Sequence, residues 1–254
     1  MKPASWAISS ADKTTMDQKS IFSEQISKIL KDPNINSVIE TGTFRGTGTT
    51  KIVLDNRLSG VVLYSIEVNP HNHDIAKNNL KEYSNLALLL GNTLPQQLIP
   101  SVESIRKYIR RHECLDIYCD YDIVASDRLI SSYTQESGHS VPCDILGKIL
   151  KEDSVHPGLI ILDSAGHLGF LEFLYILYLL RNSCYIAMDD INHVKHYDSF
   201  KYAMSNAETF DFIDSKDEKT GWAIVKYLYK DQSLFNMGFE DFCRYAMKMY
   251  ENGE

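Results

Sequence analysis

The sequence predicts a doubly wound α/β domain built on a mostly parallel sheet. Three observations carry this. Short apolar runs alternate with helical-period segments over most of the chain. Those runs are continuous in apolar character, as strands buried on both faces tend to be. The last two, Phe210–Ile213 and Trp222–Tyr229, are joined by a polar turn ending at Gly221 and read as an antiparallel hairpin.

The elements follow in order. Asp17 to Leu30 has apolar residues at 21, 22, 26, 29 and 30, a helical period that Pro33 stops. Strand one is Ser37–Ile39, and a helix runs from Thr49 to about Leu54. Val61–Ile66 is the second strand, Asp74–Tyr83 a helix, and Leu86–Leu90 the third strand. Leu94–Ile109 reads as one helix after Pro95. Leu159–Leu162 is strand four, Leu168–Arg181 a buried helix, Tyr185–Met188 strand five and Tyr197–Ala207 a helix. A last helix spans about Phe239–Tyr250. The whole of 1–254 is expected to form one domain, with a helical lead-in over 1–35 and a C-terminal helix within 230–254. Residues 110–156 break the rhythm with Tyr118, Tyr121, Tyr133, Gly138, His139 and Pro142, and are expected to form a lid or substrate-binding insertion before strand four.

Composition narrows the function. The chain has 254 residues, 44% of them apolar, enough for a sizeable core. A net charge of −8 argues against a nucleic-acid partner. Five cysteines, at 114, 119, 143, 184 and 243, lack paired spacing, which argues against disulfides or zinc. Met1 to Thr15 is polar, so no secretory signal is expected. The longest apolar run, Leu168–Leu180, is interrupted by Glu172 and is too short for a bilayer. The expectation is a soluble, cytoplasmic protein with a small-molecule partner, no membrane contact, and self-association left open.

The chemistry gathers at the strand ends, where such sheets bind ligands. Glu40 ends the first run, and Gly42, Gly46 and Gly48 follow it. This strand, glycine turn and helix bring a ligand close to the backbone, and helix N-terminal amides favour an anionic group there. Glu67 closes the second strand, placed to accept the hydroxyls of a ribose. Gly91-Asn92 closes the third, Asp163 the fourth and Asp189-Asp190 the fifth. The glycine spacing also fits a dinucleotide-binding dehydrogenase. Tyr197 and Lys201 have the Tyr-x-x-x-Lys spacing of the short-chain type, but fall too late in the strand order and lack its other signatures.

Glu40-Thr41-Gly42-Thr43-Phe44-Arg45-Gly46 resembles the first motif, E-x-G-x-x-x-G, of the class I S-adenosylmethionine (SAM)-dependent methyltransferases. The resemblance covers roughly residues 35–228 and implies a seven-stranded Rossmann-like sheet. It implies that Glu40, Gly42, Thr43 and Gly46 hold the methionine part of SAM, Glu67 the ribose, and Gly91 and Asn92 the adenine, with Asn69 and Asp163 also among the cofactor-binding residues. Asp163, Asp189 and Asp190 further resemble the metal ligands of the catechol and macrolide-sugar O-methyltransferases. That implies Mg²⁺ or another divalent ion binding two adjacent substrate oxygens. Three carboxylates so close would repel one another, which makes a cation physically attractive.

His167 and His193 are the candidate bases. The catechol enzymes place a lysine shortly after the first Asp, whereas this chain offers Ser164 and His167. The leading expectation is methyl transfer to a hydroxyl of a small molecule. Three readings stay open beside it: a metal-independent methyltransferase with a histidine base, a nicotinamide oxidoreductase, and a protein that binds SAM without turnover.

Overall fold

The computed structural model describes residues 20–117, 141–164, 167–217, 220–230 and 236–253. Seven strands form one sheet: β1 (Ser37–Thr41), β2 (Val62–Glu67), β3 (Leu86–Leu90), β4 (Leu159–Leu162), β5 (Cys184–Asp189), β6 (Phe210–Lys216) and β7 (Trp222–Tyr227). Their order is β3-β2-β1-β4-β5-β7-β6. The first five are parallel, and β7 runs antiparallel to both β5 and β6. The doubly wound sheet with its closing hairpin is the architecture the apolar pattern predicts. The order reverses beside β1, where β1 feeds β2 on one side and pairs β4 on the other, and such a switch point opens a crevice at the carboxyl edge.

Alternate side chains of each strand face opposite layers. Val38, Leu63, Leu159, Ile161 and Ala187 pack against α1 (Ile21–Ile29), α2 (Thr49–Asn56) and α3 (Pro70–Asn79). Ile39, Ile66, Ile160, Leu162, Ile186 and Met188 pack against the other layer. That layer holds α4 (Val102–Arg111), α5 (Ile145–Leu150), α6 (Gly169–Leu179), α7 (Tyr197–Ser205) and α8 (Phe239–Asn252). Nearly all of α6 is buried, because it also packs against α7 and α8, which accounts for its apolar character on every face. The lead-in helix is part of the core, with Phe22 stacked on Trp222 at 5.2 Å between centroids. No helix among the described residues is long and apolar enough to cross a membrane.

Several boundaries differ from the sequence reading, each for a local reason. β1 runs on to Thr41, so Glu40 lies within a fully buried strand and not after it. α3 begins at Pro70, four residues earlier than the apolar period indicates. Asn69 caps it by accepting from the His71 and Asn72 amides, and proline suits the first helical position. The expected helix 94–109 is split. Pro100 holds Ile99 extended, only a short 3₁₀ turn forms over Gln96–Leu98, and Ser101 starts α4 by capping the Ser104 amide. The expected insertion 110–156 is also smaller. Ile145, Leu146, Ile149, Leu150 and Val155 belong to the core, while residues 118–140 lie outside the described part of the chain.

Candidate functional site

The glycine turn after β1 is bound to the end of β2. The Gly42 and Thr43 amides donate to the Ile66 carbonyl at 3.0 and 3.1 Å, the Phe44 amide to Glu67 Oε2 at 2.7 Å, and the Gly46 amide to the Thr43 carbonyl at 3.0 Å. These four turn amides are therefore already spent, whereas the helix N-terminal amides expected to favour an anion lie further on, at the start of α2. Gly42 has φ +88°, and a Cβ there would lie 2.2 Å from the Asp163 carbonyl oxygen. It is glycine because β1 and β4 close on each other at that point. Gly46, at φ +72°, has its Cβ position against Leu80 and Ala76, so it lets α3 approach.

Beneath the turn lies a buried carboxylate. Glu40 Oε2 accepts from Thr50 Oγ1 at 2.7 Å and Ser65 Oγ at 2.5 Å, and Ser65 Oγ in turn lies 2.6 Å from Thr43 Oγ1. Glu40 Oε1 is buried and has no partner. Burial pushes this carboxyl up to about 8, against the pull of the Ser65 and Thr50 hydrogen bonds. At the end of β2, Glu67 also accepts from the Asn69 amide at 2.8 Å, and so is aimed by two backbone donors. After β3, Asn92 is 1% exposed, and its Oδ1 accepts from the Leu94 amide. Its Nδ2 is a buried donor with no partner. The Asn92 amide donates to the Pro142 carbonyl and its own carbonyl accepts from Ile145, which seats the start of α5 against this turn.

On the other side of the switch point stand the acids of β4 and β5. Asp163, Asp189 and Asp190 each present an atom within 4.8 Å of the others. Asp190 has φ +63°, a left-handed conformation that costs about 1 kcal/mol in a non-glycine residue. Its amide donates to the Gly221 carbonyl at 2.8 Å, so the turn of the β6–β7 hairpin holds it there. Lys195 Nζ lies 2.6 Å from Asp163 Oδ1 and 2.9 Å from Asp190 Oδ2.

No family model and no curated protein matches the chain. Solved structures do, at low identity. A methyltransferase from Geobacter sulfurreducens is 10% identical over 85% of this chain and 81% of that one, with a TM-score of 0.51. An O-methyltransferase from Streptomyces achromogenes involved in tomaymycin synthesis, in complex with SAM, is 11% identical over 82% of this chain and 78% of that one, with a TM-score of 0.50. The chain has the class I methyltransferase fold. Strand order, hairpin and switch point all agree with it.

In the frame of a methyltransferase fold, the sequence-named residues fall at consecutive strand ends. Asn92 follows β3, Glu67 ends β2, Glu40 and the turn close β1, Asp163 follows β4, and Asp189-Asp190 close β5. Asn69 lies at the cap of α3, and Thr43 within the hydroxyl chain to Glu40. Gly91 packs tightly, its Cβ position 2.6 Å from the Pro142 carbonyl. His167 is buried between β4 and α6. Its carbonyl accepts from Tyr250, and burial pushes its ring down to about 4, which makes it a weak proton acceptor. His193 Nδ1 accepts from the Lys195 amide at 3.1 Å, so that lone pair is engaged. Tyr197 and Lys201, the dehydrogenase-like pair, pack on each other in α7, with His112 edge-on to the tyrosine.

Four side chains of this site escaped the sequence reading. Ser65 and Thr50 solvate Glu40, and their only sequence signal is a hydroxyl in an otherwise apolar stretch. Ser65→Ala should cost about 1–2 kcal/mol in urea denaturation, because it strips one donor from a buried carboxyl. Glu172, read as a mere interruption of an apolar helix, is 0% exposed and accepts from the hydroxyls of Thr93 and Ser164. It ties the turn after β3 to the turn after β4. The fourth is Lys195, which bears on the expected metal. The donor set is right for a hard cation. An ammonium nitrogen nevertheless takes one oxygen each of Asp163 and Asp190, and a dication on those oxygens would meet a like charge at contact distance. As arranged, these residues do not fit a divalent ion.

Proposed function

We propose that the chain is a SAM-dependent methyltransferase that methylates a hydroxyl of a small molecule. The observation that carries this is the unpartnered Oε1 of the buried Glu40 under a turn whose Gly42, Thr43, Phe44 and Gly46 amides are already engaged. Such a turn repels the pyrophosphate of a dinucleotide and attracts an ammonium group. Across the sheet, the Asn92 Nδ2 donor, the Glu67 carboxylate and the Glu40 carboxylate suit in turn an adenine acceptor, a ribose diol and an amino-acid ammonium. That is the chemical order of SAM.

When bound, SAM supplies a methyl group on a sulfonium, transferred by in-line displacement. The chain's own part is then mainly to hold and orient. Glu40 and Glu67 anchor the ammonium and the ribose of the cofactor, and the close approach at Gly42 keeps β1 against the Asp163 segment. Asp163 and the β5 acids face the acceptor side. Oxygen as the acceptor atom accords with the name of the Streptomyces achromogenes protein.

Calorimetry with SAM and with NAD tests the reading. Binding of SAM in the micromolar range is expected, with none of NAD. Binding of NAD alone would replace the proposal with an oxidoreductase.

A further inference from the structure

Lys195 is 6% exposed, and its position is built rather than incidental. Three contacts fix the backbone on which it stands. Its amide donates to His193 Nδ1 at 3.1 Å. The carbonyl of the preceding Val194 accepts from Tyr108 Oη at 2.5 Å, and Tyr108 is itself buried and stacked on Tyr250 at 4.2 Å between centroids. Its own carbonyl lies 2.4 Å from where a Cβ of Gly169 would stand, so the first turn of α6 is packed onto it. Its ammonium enters a group of three carboxylates drawn from two strand ends and joins the β4 acid to the β5 acid. A surface lysine pays side-chain entropy for little gain. A buried one persists only when it is paired, and this one is paired twice.

We infer that Lys195 is a positioning residue that takes the place of a divalent cation, holding Asp163 and Asp190 together at the acceptor side so that this chain binds no metal there. The proposed methyl transfer gives that acid group its purpose, but the charge argument stands without it. The ammonium already neutralises one of the negative charges that a dication would gain there, at contact distance from both Asp163 and Asp190. Removing the ammonium leaves hard oxygen ligands within 4.8 Å of one another with nothing between them. Lys195→Met should therefore create a cation site where the wild type has none, and Lys195→Arg should not.

The test is Mn²⁺ binding, followed by the electron paramagnetic resonance of the free ion, on the full chain after chelator treatment. The wild type and Lys195→Arg are expected to bind no Mn²⁺ up to roughly 1 mM, the weak end of protein calcium sites. Lys195→Met is expected to bind one ion at least tenfold more tightly than that, and Lys195→Met with Asp190→Asn to lose it. A wild-type site that saturates below this concentration and disappears in Asp163→Asn overturns the inference, whatever the variants do. A folded Lys195→Met that binds no ion also overturns it, because Lys195 would then be a salt bridge outside any cation position. SAM calorimetry on the same chelated wild type separates the two proposals: loss of SAM binding strikes the methyltransferase reading and leaves the metal result standing.

Discussion

Glu40→Gln is expected to weaken SAM binding roughly 100-fold, the scale of one lost charge-assisted contact. Glutamine keeps the volume and can still accept from Thr50 and Ser65. It turns an amide toward the place where Oε1 now lacks a partner, and an amide does not attract an ammonium. The pH dependence follows from the raised carboxyl. Between the ordinary value of 4.5 and the folded value of about 8, the folded chain holds a proton that the unfolded chain has released. Stability of the ligand-free protein therefore falls as pH rises through that window, by a few kcal/mol in all.

Asp189, pushed up to about 8 by burial and by Asp163 and Asp190, adds a slope of the same sign. Denaturation of Glu40→Gln across this range should accordingly show a flatter curve than the wild type, not a level one. A ligand ammonium favours ionised Glu40, so SAM affinity should rise with pH over the same interval and binding should release a proton. Titrations in two buffers of different ionisation enthalpy read that proton directly. Wild-type affinity in Glu40→Gln would remove Glu40 from the cofactor site.

Gly42→Ala carries the second large effect, with a different mechanism. The added Cβ falls 2.2 Å from the Asp163 carbonyl oxygen, 2.8 Å from its carbon and 3.1 Å from Ser164 Cα, all of them backbone. No side chain can turn aside to make room. The φ of +88° adds a penalty of about 1–2 kcal/mol for any residue with a Cβ. Overpacking adds roughly 1–3 kcal/mol. A total loss of about 2–5 kcal/mol is expected in urea denaturation, with a fall in SAM affinity as β1 and β4 part and Asp163 moves. A change within about 0.5 kcal/mol, the range of an ordinary surface substitution, would mean that the two strands do not meet there.

The fold was legible because its signals are local. Continuous apolar runs marked the parallel strands, and the pattern around Gly221 marked the hairpin. Errors arose where a stop or start signal outweighed the period. Asn69-Pro70 starts α3 although its first turn carries no apolar stripe, and Pro100 divides a stretch whose period runs on through it. The glycine turn concealed its own pairing: the Gly42, Thr43 and Phe44 amides are spent on Ile66 and Glu67 of the neighbouring strand. The carboxylate below it carried the information, and Glu40 was visible in the motif.

Periodicity and turn chemistry along the chain sufficed to place Glu67, Asn92, Asp163 and the Asp189-Asp190 pair at strand ends, and Glu40 one residue short of one, since each ends its own apolar run. They did not suffice to say how those charges are balanced. Ser65 reaches Glu40 across 25 positions, Lys195 reaches Asp163 across 32, and Thr93 reaches Glu172 across 79. Coulomb attraction and hydrogen bonding act over a few ångströms of space, whatever the separation along the chain. Only the folded sheet, bringing the ends of β4 and β5 beside the loop before α7, put an ammonium where the acids alone pointed to a metal.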